Sequence, residues 1–267
     1  MSTILYLILP IALLTFLAFR SYFLIPSVDG LPVLMYHNVD DTLPADAMNV
    51  TAKQFEEQLK YLNERNYTTI SFSELLHFVE HNDPLPKNAL MITVDDGYKN
   101  NFSVMYPLLE KYHVKANIFL VSNFIDSKMP GVDADAYLST SDIQQMNPTV
   151  VQFGLHTYDH KNYKDLDQET IDADLKLCDA QLTGKGIQHY PCFAYTYGAY
   201  PKKDPAKKEQ LFQLLRNNNV KLAFRIGNRI NKFPFSNKLL IERIDIRGSD
   251  SLSDFGIKLK KGRLKLF

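Results

Sequence analysis

Residues 89–97 read ALMITVDDG, and this stretch decides the fold class. Its first six residues are apolar or β-branched without polar alternation, a pattern typical of a parallel strand that is buried on both faces. Asp95 and Asp96 follow directly. In parallel α/β barrels the functional side chains lie where the strands end. The stretch therefore predicts a buried strand with two candidate functional carboxylates at its end.

Apolar runs alternate with amphipathic helical stretches along the rest of the chain. Capping boxes, such as Thr51 with Gln54, mark the starts of helices. This order indicates parallel βαβ units. We therefore predict an α/β fold with a single (β/α)7–8 barrel, either closed or distorted and incompletely closed. The predicted strands cover residues 32–36, 67–70, 89–94, 116–121, 150–153, 192–195, 221–225 and 239–244.

The composition is that of an ordinary globular protein without a charged bias. The 267 residues include 30 basic and 30 acidic side chains, so the net charge is zero. Nucleic-acid-binding domains usually carry a basic surplus, and we expect no nucleic-acid partner. Cys178 and Cys192 are too few for a disulfide framework, and we expect both to be buried apolar residues. The composition leaves the oligomeric state open.

The N-terminal residues predict a transmembrane helix. Residues 3–25 are largely apolar and reach the length of about 20 residues that a spanning helix needs. No basic residue precedes the run and no small-x-small cleavage pattern follows it, which favours an uncleaved anchor over a signal peptide. We predict an anchor at residues 1–25, a linker at 26–31 and the barrel at 32–250. The expected function places the barrel outside the cell, in a single-pass protein of the cell membrane.

Residues 251–267 form a predicted basic amphipathic tail. Lysine and arginine side chains alternate there with leucine, isoleucine and phenylalanine. Such a segment either lies on an anionic membrane or wall polymer, or remains a solvated terminus. The sequence leaves both alternatives open.

Two histidines four residues apart follow the fifth predicted strand. His156 and His160 can direct both imidazoles to the same side, and Asp96 can add a carboxylate. Two imidazoles and one carboxylate are a ligand set of catalytic zinc sites. Each motif alone is weak evidence, but Asp95 and His37 also follow predicted strands. The combination predicts a metal-dependent active site.

These motifs resemble those of the polysaccharide deacetylases, carbohydrate esterase family 4, whose domain is called the NodB homology domain. Residues 93–97, TVDDG, resemble the family's Thr-Phe-Asp-Asp-Gly motif. Residues 156–160, HTYDH, match its His-Ser/Thr-x-x-His motif. The resemblance covers residues 32–246, so only the anchor, the linker and the tail lie outside it.

The resemblance implies roles for the residues in these two motifs. Asp95 corresponds to the general base of the family. Asp96, His156 and His160 correspond to the ligands of a divalent metal ion. We expect zinc, with cobalt or nickel as alternatives, because this ligand set discriminates weakly among them.

The family's third motif, Arg-x-Pro-Tyr-Gly, resembles residues 194–198, which read AYTYG. The resemblance implies that Tyr195, Tyr197 and Gly198 contribute to the substrate and oxyanion site. It implies in particular that the backbone N–H of Tyr197 helps to stabilise the oxyanion.

Ala194 stands where the family has the arginine that orients the base. Arg243 and Arg225 are both candidates to replace that arginine. The sequence does not decide between them.

The family's C-terminal Leu-x-His motif, which supplies the general acid, is absent because no histidine follows His189. Residues 34–39, LMYHNV, instead resemble a circularly permuted branch that includes the biofilm poly-β-1,6-N-acetylglucosamine deacetylases. In a closed barrel the last strand neighbours the first, so His37 can reach the same place. The resemblance implies that His37 is the general acid, and Asp245 is a candidate to stabilise its charged form.

We therefore expect a metal-dependent hydrolase that removes N-acetyl groups from a glucosamine-containing extracellular polysaccharide, either poly-N-acetylglucosamine or a cell-wall glycan. The expected partners are this acetylated polysaccharide and the membrane. Two alternatives remain open. One is a non-catalytic, membrane-tethered polysaccharide-binding protein on a decayed barrel, which Ala194 and Thr196 favour. The other is an amidohydrolase of a small acetylated molecule.

Overall fold

The computed structural model describes residues 28–127 and 133–263, together with Phe16. The strands are β1 Val33–Tyr36, β2 Asn38–Val39, β3 Asn49–Val50, β4 Thr68–Thr69, β5 Ala89–Val94, β6 Ala116–Leu120, β7 Val151–Leu155, β8 His189–Ala194, β9 Leu222–Ile226 and β10 Ile241–Asp245. The α-helices are α1 Ala52–Glu64, α2 Phe72–His81, α3 Tyr106–Tyr112, α4 Thr140–Gln145, α5 Gln168–Gly184, α6 Pro205–Asn217 and α7 Leu252–Lys261.

Seven parallel strands close into a ring. Their order is β1, β10, β9, β8, β7, β6 and β5, and β5 pairs back with β1. The predicted α/β barrel is confirmed, with seven strands and full closure. Its one irregularity among the described pairings is a register shift between β7 and β8, at Phe153 and Leu155.

The remaining short strands lie outside the ring. β4 pairs with Ala89 and Leu90, the first two residues of β5, whereas β1 pairs with the four residues that follow. The predicted strand at residues 67–70 therefore corresponds to β4, which pairs with β5 just before the residues that pair with β1. β2 and β3 form a separate pair of two residues each, which the sequence did not predict.

Helix α2 closes the amino-terminal end of the barrel. Its side chains Phe72, Leu75 and Leu76 join an inner core with Phe119 of β6 and Phe224 of β9. The ring centroids of Phe72 and Phe119 are 5.0 Å apart, and those of Phe119 and Phe224 are 5.3 Å apart. The buried amide of Asn117 accepts the backbone N–H of Phe72 at 2.7 Å, which fixes the start of the helix on the barrel. The opposite, carboxyl end of the strands remains for the functional residues.

A second, larger core lies between the ring and the outer helices. On α5, Leu175 and Cys178 are buried against the barrel, while Leu177 faces solvent. Cys178 and Cys192 are both free and buried, as expected from the sequence.

The two ends of the chain differ in what the structure describes. The predicted anchor at residues 1–25 lies outside the described residues, except for Phe16. None of the described helices is both long enough and apolar enough to cross a membrane. The predicted tail begins with α7, whose Phe255 and Leu259 are buried. Phe255 packs edge-on against Tyr61 of α1 at 5.7 Å, so this helix contributes to the outer layer of the barrel.

Two of the leucines of α5, Leu175 and Leu177, allow a matched test of this packing. Leu175 is 1% exposed and Leu177 is 51% exposed. We expect Leu175→Ala to lower the free energy of unfolding by about 2–5 kcal/mol, because it leaves a cavity in the core. Leu177→Ala should change it by less than about 0.5 kcal/mol. Urea denaturation followed by circular dichroism measures both, and equal effects would contradict this orientation of α5.

Candidate active site

The predicted site residues converge at the carboxyl end of the ring. Asp95 and Asp96 follow β5, His156 follows β7, Tyr195, Tyr197 and Gly198 follow β8, His37 follows β1, and Arg243 and Asp245 belong to β10. β1 pairs with β10 in parallel, so the last strand neighbours the first as the sequence analysis expected.

Asp96, His156 and His160 form a candidate metal centre. Asp96 Oδ1 lies 3.3 Å from His156 Nε2 and 3.2 Å from His160 Nε2. One candidate ligand atom from each of the three side chains lies within 4.8 Å of the other two. Asp96 and His156 are buried and His160 is partly exposed, so the centre opens to solvent on one side.

The backbone around this centre holds the ligands in place. His156 Nδ1 lies 2.9 Å from the carbonyl oxygen of Ala194. Because a carbonyl only accepts, Nδ1 carries the proton and donates it there, and Nε2 is directed to Asp96. Asp96 and His160 both adopt left-handed backbone conformations, with φ values of 71° and 63°. Such conformations are costly for residues other than glycine and concentrate at functional sites.

The donor set fits a divalent cation. Asp96 Oδ1 is buried and accepts no hydrogen bond of normal geometry, although two imidazole nitrogens face it. Burial alone would raise the pKa of Asp96, but the two imidazoles hold that pKa well below its usual range. The carboxylate is thus ionised, as a metal ligand must be. A cation among the three side chains would satisfy the orphaned oxygen.

Asp95 is held by a buried arginine. Its Oδ1 lies 2.5 Å from Nη1 of Arg243 and its Oδ2 lies 2.8 Å from Nη2. Arg243 is completely buried. Burial raises the pKa of Asp95, but the charge of Arg243 and its hydrogen bonds outweigh that effect and lower the pKa. Arg225 instead pairs with Glu242, so the structure selects Arg243 as the partner of Asp95.

His37 faces the same carboxylate. Its Nε2 lies 3.9 Å from Asp95 Oδ2, the same distance that separates this oxygen from His156 Nε2. Asp245 was the expected partner of His37, but its carboxylate accepts a hydrogen bond from Arg247 Nε at 2.6 Å. Among the described residues no ion pair joins Asp245 to His37. The nearby guanidinium of Arg247 explains why the Asp245 carboxylate turns elsewhere.

The third motif separates into structural and exposed parts. Tyr195 is buried and its hydroxyl donates to the carbonyl oxygen of Leu239 at 3.0 Å. Tyr197 has φ 56° and is 65% exposed, and its hydroxyl lies 3.2 Å from His160 Nδ1. Gly198 also has positive φ, and a Cβ there would approach Ile226 at 2.9 Å. Tyr195 therefore supports the loop, whereas Tyr197 lies at the mouth of the site.

Sequence reasoning missed a pair of stacked tyrosines beside the metal centre. Tyr98 and Tyr137 have ring centroids 5.2 Å apart with an interplanar angle of 19°. Burial and the nearby charge of Asp96 raise the pKa of Tyr98. The position of Tyr98 directly after the Asp-Asp-Gly motif was an available signal. The sequence offered no such signal for Tyr137, because this residue belongs to an irregular segment that only the fold brings next to Tyr98.

Two carboxylates, one with its own arginine and one faced by two imidazoles, thus lie together at the carboxyl end of a parallel barrel. Residues 82–211 match the family model of the polysaccharide deacetylases. This match confirms the resemblance seen in the motifs. Residues 82–211 thus correspond to the polysaccharide deacetylase domain of that family model.

Relatives and a solved structure are similar to this chain. A Staphylococcus aureus (strain N315) protein named poly-β-1,6-N-acetyl-D-glucosamine N-deacetylase is 26% identical over 206 residues, which cover 73% of this chain and 67% of that protein. The Bacillus subtilis (strain 168) protein YxkH is 26% identical over 170 residues, or 64% of this chain, and the match spans only 57% of its length. The structure of the Streptococcus pyogenes deacetylase PplD in complex with acetate superposes with a TM-score of 0.73 at 21% identity, covering 88% of this chain and 99% of that one. This structural likeness shows that the fold is shared.

Arg243 should set the acidic limit of the deacetylase activity. In Arg243→Met the burial of Asp95 remains while the opposing positive charge is lost, so the pKa of Asp95 rises. A general base acts as the carboxylate, and activity is therefore lost at a higher pH. We expect the acidic limb of the kcat/KM profile to move upward by about 1–3 pH units. A bound cation would be present in both proteins and leaves this direction unchanged.

Two variants serve as controls for this pH profile. Arg243→Lys keeps a charge and should move the acidic limb less than Arg243→Met. Arg225→Met removes a guanidinium that pairs with Glu242 and should leave the limb in place. An unchanged limb in folded Arg243→Met protein would show that Asp95 is not the ionised base.

Proposed function

We propose that this protein hydrolyses N-acetyl groups on a glucosamine-containing polysaccharide outside the cell. Poly-N-acetylglucosamine is the favoured substrate, because several relatives are named for activity on it. The observation that carries the proposal is the position of Asp95 Oδ2, which lies near Arg243, His37 and His156 at once. That single oxygen is next to the guanidinium of Arg243, a candidate acid and the candidate metal centre.

Asp95 is suited to take the proton of the attacking water. Arg243 holds both of its oxygens, so the carboxylate is fixed in orientation and ionised at neutral pH. Asp96, His156 and His160 would hold a divalent ion, which would supply a positive charge to lower the pKa of water and to polarise the acetyl carbonyl. We propose zinc as that ion, with cobalt or nickel as alternatives, since the ligand set suits all three.

His37 is suited to protonate the leaving amine. Its side chain is mostly buried, and its Nε2 faces Asp95 at 3.9 Å. This places a proton donor and a proton acceptor next to each other, beside the metal centre. The backbone N–H of Tyr197, as the family resemblance implies, donates to the oxygen that becomes negative during attack.

Exposed aromatic rings favour a sugar polymer as the substrate. Tyr197 lies at the mouth of the site, next to His160, with the two ring centroids 4.7 Å apart. Tyr98 and Tyr137 stack on each other next to Asp96 and are partly exposed. Binding sites of this kind combine apolar ring faces with a few placed polar groups, and the faces of sugar rings pack against such aromatics.

We also propose that residues 1–25 anchor the protein in the cell membrane as a single pass, with the barrel outside the cell. The apolar run at residues 3–25 and an extracellular substrate support this proposal. The full-length protein should sediment with membranes and resist a high-salt wash, whereas a chain that starts at Val28 should remain in the supernatant. Recovery of a mature chain that begins after residue 20 would instead indicate a cleaved signal peptide.

The catalytic assignment is tested by acetate release from poly-β-1,6-N-acetylglucosamine, peptidoglycan and chitin oligomers, with and without added metal. His37→Ala should lower the rate by about 10²–10⁴-fold, the range typical of a general acid. Asp95→Asn should abolish turnover and retain bound metal, because Asp95 is assigned as base and not as ligand. His156→Ala should lose both.

A matched histidine controls for the general effect of substitution. His113 is exposed at the end of α3, and asparagine accepts its left-handed conformation, so His113→Asn should retain full activity. If His37→Ala kept more than about a tenth of the activity, His37 would not be the acid. Acetate release from none of the polymers would contradict the proposed function itself.

A further inference from the structure

Helix α2 ends in a second cluster of metal-ligand side chains. His77 and His81 lie near the end of the helix and Asp83 follows it, and candidate ligand atoms of all three lie within 4.8 Å of one another. Among residues 28–127 and 133–263 this is the one such group besides the active-site group. The deacetylase chemistry uses none of these three residues.

Local structure brings the three side chains together. His77 and His81 are four residues apart on the helix, and their ring centroids are 4.3 Å apart. Asn82 ends the helix in a left-handed conformation with φ 56°. The chain turns back there, so that the N–H of Asp83 donates to the carbonyl oxygen of Phe78 at 3.1 Å. Asp83 Oδ2 consequently lies 3.4 Å from His77 Nε2.

The ring of His81 is already oriented for a ligand. Its Nδ1 lies 3.0 Å from the backbone carbonyl oxygen of His77. Since a carbonyl only accepts, Nδ1 carries the proton and the lone pair of Nε2 is available. Metal-binding histidines are commonly fixed in this way by a backbone carbonyl. His156 makes the same contact with the carbonyl oxygen of Ala194 in the active site.

The surroundings of the cluster also favour a cation. The last turn of a helix carries partial negative charge from its unpaired carbonyl groups, and Asp83 adds a full negative charge. Two imidazoles and a carboxylate suit zinc, nickel and copper. Because α2 covers the amino end of the barrel, this cluster lies at the opposite end from Asp96 and its two histidines.

We propose that His77, His81 and Asp83 bind a divalent transition-metal ion, with Zn²⁺ as the probe, at a site separate from the active site. The ion joins the end of α2 to the segment at residues 82–88 that leads into β5. Water fills the remaining coordination positions. Because the three ligands converge only in the folded chain, binding stabilises the native state.

The test measures zinc bound per chain by the full-length protein in detergent, after equilibrium dialysis against ZnCl₂, by inductively coupled plasma mass spectrometry. The double variant His77→Asn/His81→Asn should bind one ion fewer per chain than the unsubstituted protein and should keep its acetate release. The His156→Ala variant should also bind one ion fewer, but should lose activity. Zinc should raise the melting temperature of the His156→Ala protein and leave unchanged that of a variant that combines His77→Asn, His81→Asn and His156→Ala.

His113→Asn is the matched control, since it removes an exposed histidine away from the cluster and should not change the zinc content. Asp83→Asn should weaken the binding of the second zinc ion without affecting the active site. Equal zinc content in the double variant and the unsubstituted protein would overturn the proposal. The proposal would also be overturned if the unsubstituted protein bound only one zinc ion per chain and the His156→Ala variant bound none. Neither result depends on the substrate of the deacetylase.

Discussion

The buried ion pair between Arg243 and Asp95 lies at the centre of the barrel's functional end. Both carboxylate oxygens accept from the guanidinium, and Arg243 also lies over the ring of Phe119 at 5.4 Å. Removing one partner of such a pair costs about 3–5 kcal/mol, because the other charge is left buried without compensation. The pair forms only when the ring closes, since β5 and β10 are the two neighbours of β1. Closure of the barrel and assembly of the site are therefore coupled.

This pair also allows two adjacent carboxylates to have different tasks. Asp95 and Asp96 are consecutive and both buried, so their charges would repel if they shared one environment. Arg243 compensates the first, and the imidazoles of His156 and His160 face the second. The left-handed backbone at Asp96 separates their directions. One carboxylate is thereby paired with a guanidinium, and the other is left facing two imidazoles.

The chain contains the spacing His-x-x-x-His twice, in different structural contexts. His77 and His81 lie on a regular helix and are exposed, so the spacing alone places their rings together. His156 and His160 lie on an irregular loop with two left-handed residues, Thr157 and His160. Only the loop brings its histidines to the end of β5, next to Asp95 and Arg243. The same ligand set thus lies within a catalytic environment at one end of the barrel and on the open surface at the other.

The sequence by itself determined the strands and most of the site. Strands buried on both faces read as continuous apolar runs, and each of the eight predicted runs overlaps an observed strand. Asp95, Asp96, His156 and His37 were found because functional residues follow strand ends. Those signals are local in the chain, so they can be read without knowledge of the fold.

Only the tertiary structure decided which arginine pairs with Asp95. Arg225 and Arg243 both lie on strands, but the register of β9 with β10 puts Phe224 and Ile241 side by side in the inner core. Because side chains alternate along a strand, Arg243 points into the barrel with Ile241, and Arg225 points outward beside Glu242. The contact of Tyr137 with Tyr98 likewise joins segments that are distant in the chain. No local pattern in the sequence records such a contact, or the closure of the ring.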